Sequence, residues 1–213
     1  MNKIADIRKD YQLQTLSEQD ISADPIQQFT KWWEEAIQSE IDEVNAFTLA
    51  TSSLQGKPSA RIVLLKGYDN KGFIFFTNYE SAKGNELANN PQASMVFFWK
   101  ELQRQIRIEG SIEKVSPRES DEYFSSRPEG SRIGAWASPQ SKIITDRSEI
   151  EINAQKYQQQ YADGNIPRPP YWGGYRLKPL QIEFWQGRAN RLHDRIQYTV
   201  QKDNSWKIER LAP

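Results

Sequence analysis

Apolar residues along this chain fall into two periods. Ile26, Phe29, Trp33 and Ile37 recur at helical spacing behind Asp24-Pro25, an N-cap followed by proline at the first helical position. That pattern predicts an amphipathic helix from 25 to about 40. Elsewhere short apolar runs end at turn residues and read as strands: 46–52, 59–66, 72–77, 93–99, 103–115, 175–185, 192–201 and 206–211. Helices are expected over 81–89, 117–126 and 148–161, the second with proline at its start. The Pro-rich segment 166–170 reads as stiff and extended. Residues 1–23 are polar and weakly patterned, which predicts a mobile N-terminal arm, and 24–213 shows neither repeat nor boundary, so it reads as a single domain. Six or more antiparallel-type strands with three or four helices predict an α+β domain built on a β-barrel.

Composition narrows the function classes. The 213 residues carry 28 Lys and Arg against 28 Asp and Glu, so a general nucleic-acid binder with a basic excess is disfavoured, and any cationic site must be local. With no cysteine and one histidine, the chain can form no disulfide, thiolate metal site, cysteine nucleophile or imidazole-rich metal site. The N-terminus lacks the apolar core of a secretory signal and no apolar run reaches membrane-spanning length, so a soluble cytoplasmic protein is expected.

The candidate chemistry is cationic and aromatic. Arg191-Leu-His-Asp-Arg195 lies between two strand-like runs. If the stretch is extended, Arg191, His193 and Arg195 share one face. Such groups repel one another in a core and fit where an anion or an electron-rich ring lies between them. Lys83 falls in the first turn of the helix after Ser81, against the dipole, unless a phosphate sits at that helix start. Tyr123 and Arg127 stand four apart with Ser131 beyond: either a phosphate clamp or a surface stack. Arg61 and Lys66 bracket an apolar strand as contacts or as snorkelling ends. Gln105 and Arg107 share a strand face, with a heteroaromatic ring or solvent as partner. There is no nucleophile–histidine pair and no glycine-rich nucleotide loop. The set fits a phosphorylated aromatic cofactor that supplies the chemistry while the protein positions it.

In order along the chain, Arg61-Ile-Val-Leu-Leu-Lys66, Phe75-Phe-Thr-Asn78, Ser81-Ala-Lys83, Gln105, Tyr123-Phe-Ser-Ser-Arg-Pro128, Ser131-Arg-Ile-Gly-Ala-Trp136, Gln140-Ser141, Trp172-Gly-Gly-Tyr175, Ile182-Glu-Phe-Trp-Gln-Gly187, Arg191-Leu-His-Asp-Arg195 and Arg210-Leu-Ala-Pro213 resemble the pyridoxamine 5′-phosphate oxidase family. The likeness runs from about residue 24 to the last residue. It implies an FMN-binding split β-barrel, mainly antiparallel with flanking helices, working as a homodimer with FMN at the interface. It implies oxidation of pyridoxine or pyridoxamine 5′-phosphate to pyridoxal 5′-phosphate, with hydride passing from C4′ to flavin N5. O2 would be the electron acceptor, giving H2O2 and, from the amine, ammonia.

The resemblance also assigns residues. Arg61, Ser81, Ala82 and Lys83 would hold the FMN phosphate with Gln140 and Ser141 of a second subunit. Ile62, Val63, Leu64, Leu65, Lys66, Phe76, Thr77, Gln105, Trp185 and Arg195 would frame the rest of FMN. Lys66, Tyr123, Arg127 and Ser131 would bind the substrate phosphate, with Arg191 and His193 over the substrate ring as the catalytic pair. Arg8 and Tyr11 would close the site from the arm. Ala82 stands where relatives can carry an arginine. A flavin reductase on the same barrel would not need the Tyr123–Arg127–Ser131 clamp together with Arg191 and His193. A pyridoxal-phosphate carrier or a single-strand nucleic-acid binder would not need FMN.

Overall fold

The computed structural model describes Ile4 and residues 10–213. Helix α1 is Pro25–Gln38; strands β1 to β4 are Ala46–Ser52, Pro58–Leu64, Gly67–Asp69 and Gly72–Asn78; α2 is Ala82–Asn89. Next come β5 Gln92–Trp99, β6 Arg104–Lys114, and helices α3 Pro117–Ser125, α4 Glu129–Ala137 and α5 Ser148–Gln160. Strands β7 Trp172–Gln186, β8 Asp194–Val200 and β9 Trp206–Arg210 close the chain.

All strand pairs are antiparallel in one sheet of order β2-β1-β5-β6-β7-β4-β3, with β8 on β7 and β9 on β8. The 15-residue β7 forks the sheet: residues 172–177 pair with β4, and 181–186 pair with β8. Pro179 lies at the fork, where the register with β6 slips between Glu109 and Gly110; a residue without an N–H suits such a bulge. The edge strand β2 runs on into β3, the strand at the opposite end of that order, which pairs with β4, and Lys66 N–H bonds the Ile74 carbonyl. The sheet therefore curls into a split barrel, open between β2 and β4.

Alternation fills the barrel. On β1 and β6 every second residue is buried, and Phe47, Leu49, Met95, Phe97, Ile106, Ile108, Ile182, Phe184 and Ile196 meet inside. Helix α1 plugs this core with Phe29 and Trp32; its start is capped by the Asp24 carboxylate, which accepts from Ile26 N–H at 2.7 Å. Phe29 meets Phe73 and Phe97 edge-on. A smaller cluster of Phe124, Ile133, Ile166 and Trp172 seats α3 and α4 against the β4–β7 side. Residues 10–22, despite their weak pattern, lie against the domain. Leu16 is buried, its N–H bonds Asp194 at 3.1 Å, and Glu18 pairs with Arg210. Among the described residues no helix is long and apolar enough to cross a membrane.

Candidate active site

At the split between β2 and β4 lies a cleft of about 880 Å³, walled by α2, α3 and α4. Arg61, Ile62, Val63, Leu64, Lys66, Phe76, Thr77, Lys83, Tyr123, Arg127, Ser131 and Gln140 all line it. Side chains that stand far apart in sequence thus converge on one space.

One end is built by the start of α2. The Ser81 hydroxyl caps the helix by accepting from Gly84 N–H at 3.3 Å. Gly84 packs so close that a Cβ would lie 2.2 Å from the Tyr79 carbonyl oxygen, so only glycine brings the helix start this near the strand end. Lys83 then reaches back to donate to the Thr77 hydroxyl at 3.2 Å. Burial, helped by the Arg61 charge and opposed by Glu86, pulls the Lys83 pKa below the ordinary lysine value. Arg61 donates to Ser59 at 2.6 Å and to the Leu49 carbonyl at 3.3 Å, with Glu86 3.4 Å away. Two cations, one of them from the first turn of α2, thus face the cleft with one carboxylate beside them, an arrangement that favours an anion.

The second end is aromatic. Phe76, Tyr123 and Trp172 lie nearly parallel, with Phe76 and Tyr123 centroids 4.0 Å apart. The Arg127 guanidinium sits 4.7 Å from the Trp172 ring centre, and its buried Nη1 has no hydrogen-bond partner. Burial holds its pKa below the ordinary arginine value, with Tyr123 opposing. A guanidinium with an orphaned N–H, lining the cleft with Ser131 and the exposed Lys66, leaves donors that could take a second anion.

The remaining named residues lie elsewhere. Leu65 turns into the core, Ala82 is exposed on α2, and Ser141 follows Gln140 with φ 69°. Gln140, assigned to a second subunit from the sequence, lines the cleft of its own chain with Oε1 3.5 Å from the Thr77 hydroxyl. Gln105, Trp185 and Arg195 form one row across β6, β7 and β8 on the sheet face opposite the core. Phe76 pairs with Gly174 and Arg195 with Trp185. From Gly174 to Trp185, β7 runs about 36 Å measured along the strand. Arg8 lies outside the described residues, whereas Tyr11 packs edge-on against Trp185 at 5.9 Å.

The predicted strand over 192–201 begins only at Asp194. Ala189–Arg191 is instead a 3₁₀ turn, with φ 55° at Asn190 and 63° at Arg191, so alternation does not set the Arg191 direction. Asn190, a residue that tolerates the left-handed region, was the available signal. Arg191 is exposed and pairs with no carboxylate among the described residues. The His193 ring lies 4.6 Å from the Trp185 ring, tilted by 45°, and its Nδ1 accepts the Arg188 N–H at 3.1 Å. In the neutral ring the proton therefore resides on Nε2. Burial and Arg191 draw the His193 pKa below the ordinary value, against Asp194. Trp172 and Glu86 were missed as site residues; Glu86, three after Lys83 on α2, was legible as a helix-face partner.

Fold and site together define a split-barrel protein whose cleft carries cationic side chains at both ends. A pyridoxamine 5′-phosphate oxidase-related, FMN-binding protein from Nostoc punctiforme shares this fold, with TM-score 0.70 at 18% identity over 91% of this chain and 100% of that one. The family described as pyridoxamine 5′-phosphate oxidase matches residues 33–161, and the pyridoxine 5′-phosphate oxidase C-terminal dimerisation region matches 172–213. The chain is 60% identical to pyridoxine/pyridoxamine 5′-phosphate oxidase of Cyanothece sp., over 99% of this chain and 98% of the relative. It is 56% identical to the protein of that name from Paraburkholderia phymatum, over all of both chains. PhzG from Burkholderia lata, solved with tetrahydrophenazine-1-carboxylic acid, superposes with TM-score 0.87 at 32% identity, over 94% of this chain and 99% of that one. The chain belongs to the pyridoxamine 5′-phosphate oxidase family, whose cofactor is FMN.

Proposed function

We propose that the protein oxidises pyridoxine 5′-phosphate and pyridoxamine 5′-phosphate to pyridoxal 5′-phosphate, with O2 as acceptor and H2O2 as product. From the amine, water supplies the aldehyde oxygen and ammonia leaves. The observation that carries this is the pair of under-neutralised cationic ends in one cleft: cofactor and substrate each bring a phosphate, and the cleft offers two places for one. The orphaned Arg127 Nη1 and the charge-crowded Lys83 both fit anions that are part of the working enzyme.

Arg61, Lys83 and the α2 N–H groups would hold the FMN phosphate, with Thr77 and Gln140 beside it. FMN held by these residues would supply the redox chemistry, acceptance of a hydride from the substrate and return of the electrons to O2. Lys66, Tyr123, Arg127 and Ser131 would grip the substrate phosphate, which fixes the ring at its far end. Gln105, Trp185 and Arg195 stand on the outer sheet face, with the His193 ring beside Trp185 and Arg191 in the adjoining turn; we assign the five to the cleft of a second copy, as the dimerisation-region match supports. There His193 offers an Nε2 proton as a donor, because Nδ1 is already engaged, and Arg191 offers a guanidinium free to orient the substrate. A cytoplasmic location in the synthesis and salvage of pyridoxal phosphate goes with this activity.

The test uses the purified full-length protein. It should be yellow, release FMN on denaturation, and consume O2 with pyridoxine 5′-phosphate. Colourless protein that FMN cannot reconstitute would sink the flavin reading. A flavoprotein inert toward both phosphates, yet active on tetrahydrophenazine-1-carboxylic acid, the molecule bound in the PhzG structure, would favour a substrate of that class instead.

A further inference from the structure

We propose that Glu183 is a positioning residue that fixes the plane of Arg195 against the flavin; this rests on the reading that places Arg195 in a flavin site. Glu183 alternates with the core residues Ile182 and Phe184, so it belongs to the outer face of β7, yet its side chain is only 2% exposed. Two arginines close over it. Arg107, directly across on β6, reaches Oε2 at 2.9 Å. Arg195, opposite the neighbouring Trp185 on β8, donates from Nε to Oε1 at 2.8 Å and from Nη2 to Oε2 at 3.1 Å.

That two-pronged contact leaves the guanidinium no rotation about its own axis. Arg195 Nη1 is held in turn by the Ala212 carbonyl at 2.9 Å. Every nitrogen of Arg195 is therefore engaged by the chain, while one N–H each on Nη1 and Nη2 remains for a ligand. The result is a donor edge set in advance, beside the Trp185 ring. A carboxylate buried on a sheet face is a costly way to join strands, since an apolar residue would serve as well. The geometry it imposes on Arg195 accounts for its presence. Its charge has a second consequence. A flavin becomes more electron-rich on reduction, and a fixed negative charge behind Arg195 moderates how strongly that cation favours the reduced form.

The experiment compares Glu183→Gln, Arg195→Ala and the double variant as full-length proteins stripped of FMN and retitrated with it. Glu183→Gln keeps the shape but loses the charge and one acceptor oxygen; FMN should bind about ten- to hundredfold more weakly. The flavin reduction potential should rise in the reconstituted Glu183→Gln protein, which a merely structural role would not produce. In the Arg195→Ala background, adding Glu183→Gln should change FMN affinity less than about twofold. Unchanged affinity and potential in Glu183→Gln, or losses that multiply in the double variant, would overturn the proposal. If Arg195→Ala alone leaves FMN affinity intact, it is the placement of Arg195 beside the flavin that fails.

Discussion

The cleft and the outer sheet face both carry arginines, and they treat them differently. In the cleft, Arg127 has a buried N–H without a partner, and Lys83 shares a single nearby carboxylate with Arg61. On the outer face, Arg195 is locked to Glu183, which Arg107 also reaches. The first region is electrostatically unfinished and so specifies an anion. The second is finished within the chain and so presents rigid, pre-set donors and rings. About 36 Å of β7 separates the two, measured along the strand. A site that needs both kinds of region is most simply completed by two copies, each lending its outer face to the other's cleft.

Arg191 should produce the largest effect. Arg191→Ala removes an exposed guanidinium without a carboxylate partner among the described residues. Its kcat/KM should fall about a hundredfold while FMN content stays near normal. Parallel loss of flavin would move Arg191 out of the substrate half. Arg127→Ala comes next: it deletes a charge-assisted phosphate contact worth about 1.5–3 kcal/mol, so KM should rise with kcat nearly kept. A fall in kcat at unchanged KM would contradict the clamp.

The smallest effect belongs to His193. Burial and Arg191 lower its pKa, so the ring stays neutral through neutral pH and gains its proton only below the ordinary value of about 6.5. As pH falls through that range, an imidazolium forms beside Arg191, and its Nδ1 must give up the Arg188 N–H. With one histidine in the chain, its NMR titration is unambiguous. A midpoint above 6.5 would mean that Asp194 outweighs burial and Arg191.

Much of the cleft was legible because its residues cluster in short runs whose local geometry is regular. The Asp24-Pro25 cap, the strand before Lys66 and the Ser81 helix start follow from propensity and pattern. What was not legible depended on weak or non-local signals. Strand β3, three residues long, exists because Lys66 and Gly67 pair back onto Ile74. Helix α4 carries Gly130, Gly134 and Ser131, poor helix formers, and is held by packing of Ile133 and Ala137. The turn at 189–191 defeats alternation through two left-handed residues, and the sequence shows only Asn190 as a hint. The N-terminal arm has no periodicity, since Leu16 and Glu18 are fixed by Asp194 and Arg210 from the far end of the chain.

The division of the site between two copies is most directly tested by complementation. One chain carries Arg61→Ala and Lys83→Ala, damaging the cleft; the other carries Arg191→Ala and Arg195→Ala, damaging the outer face. Both are produced together with different tags, and the mixed dimer is isolated. In a shared-site dimer, one of its two sites receives both intact halves, so the hybrid should recover about half the wild-type activity while each parent stays inactive. A hybrid as inactive as its parents would contradict the account, because it would mean that each chain builds its site alone.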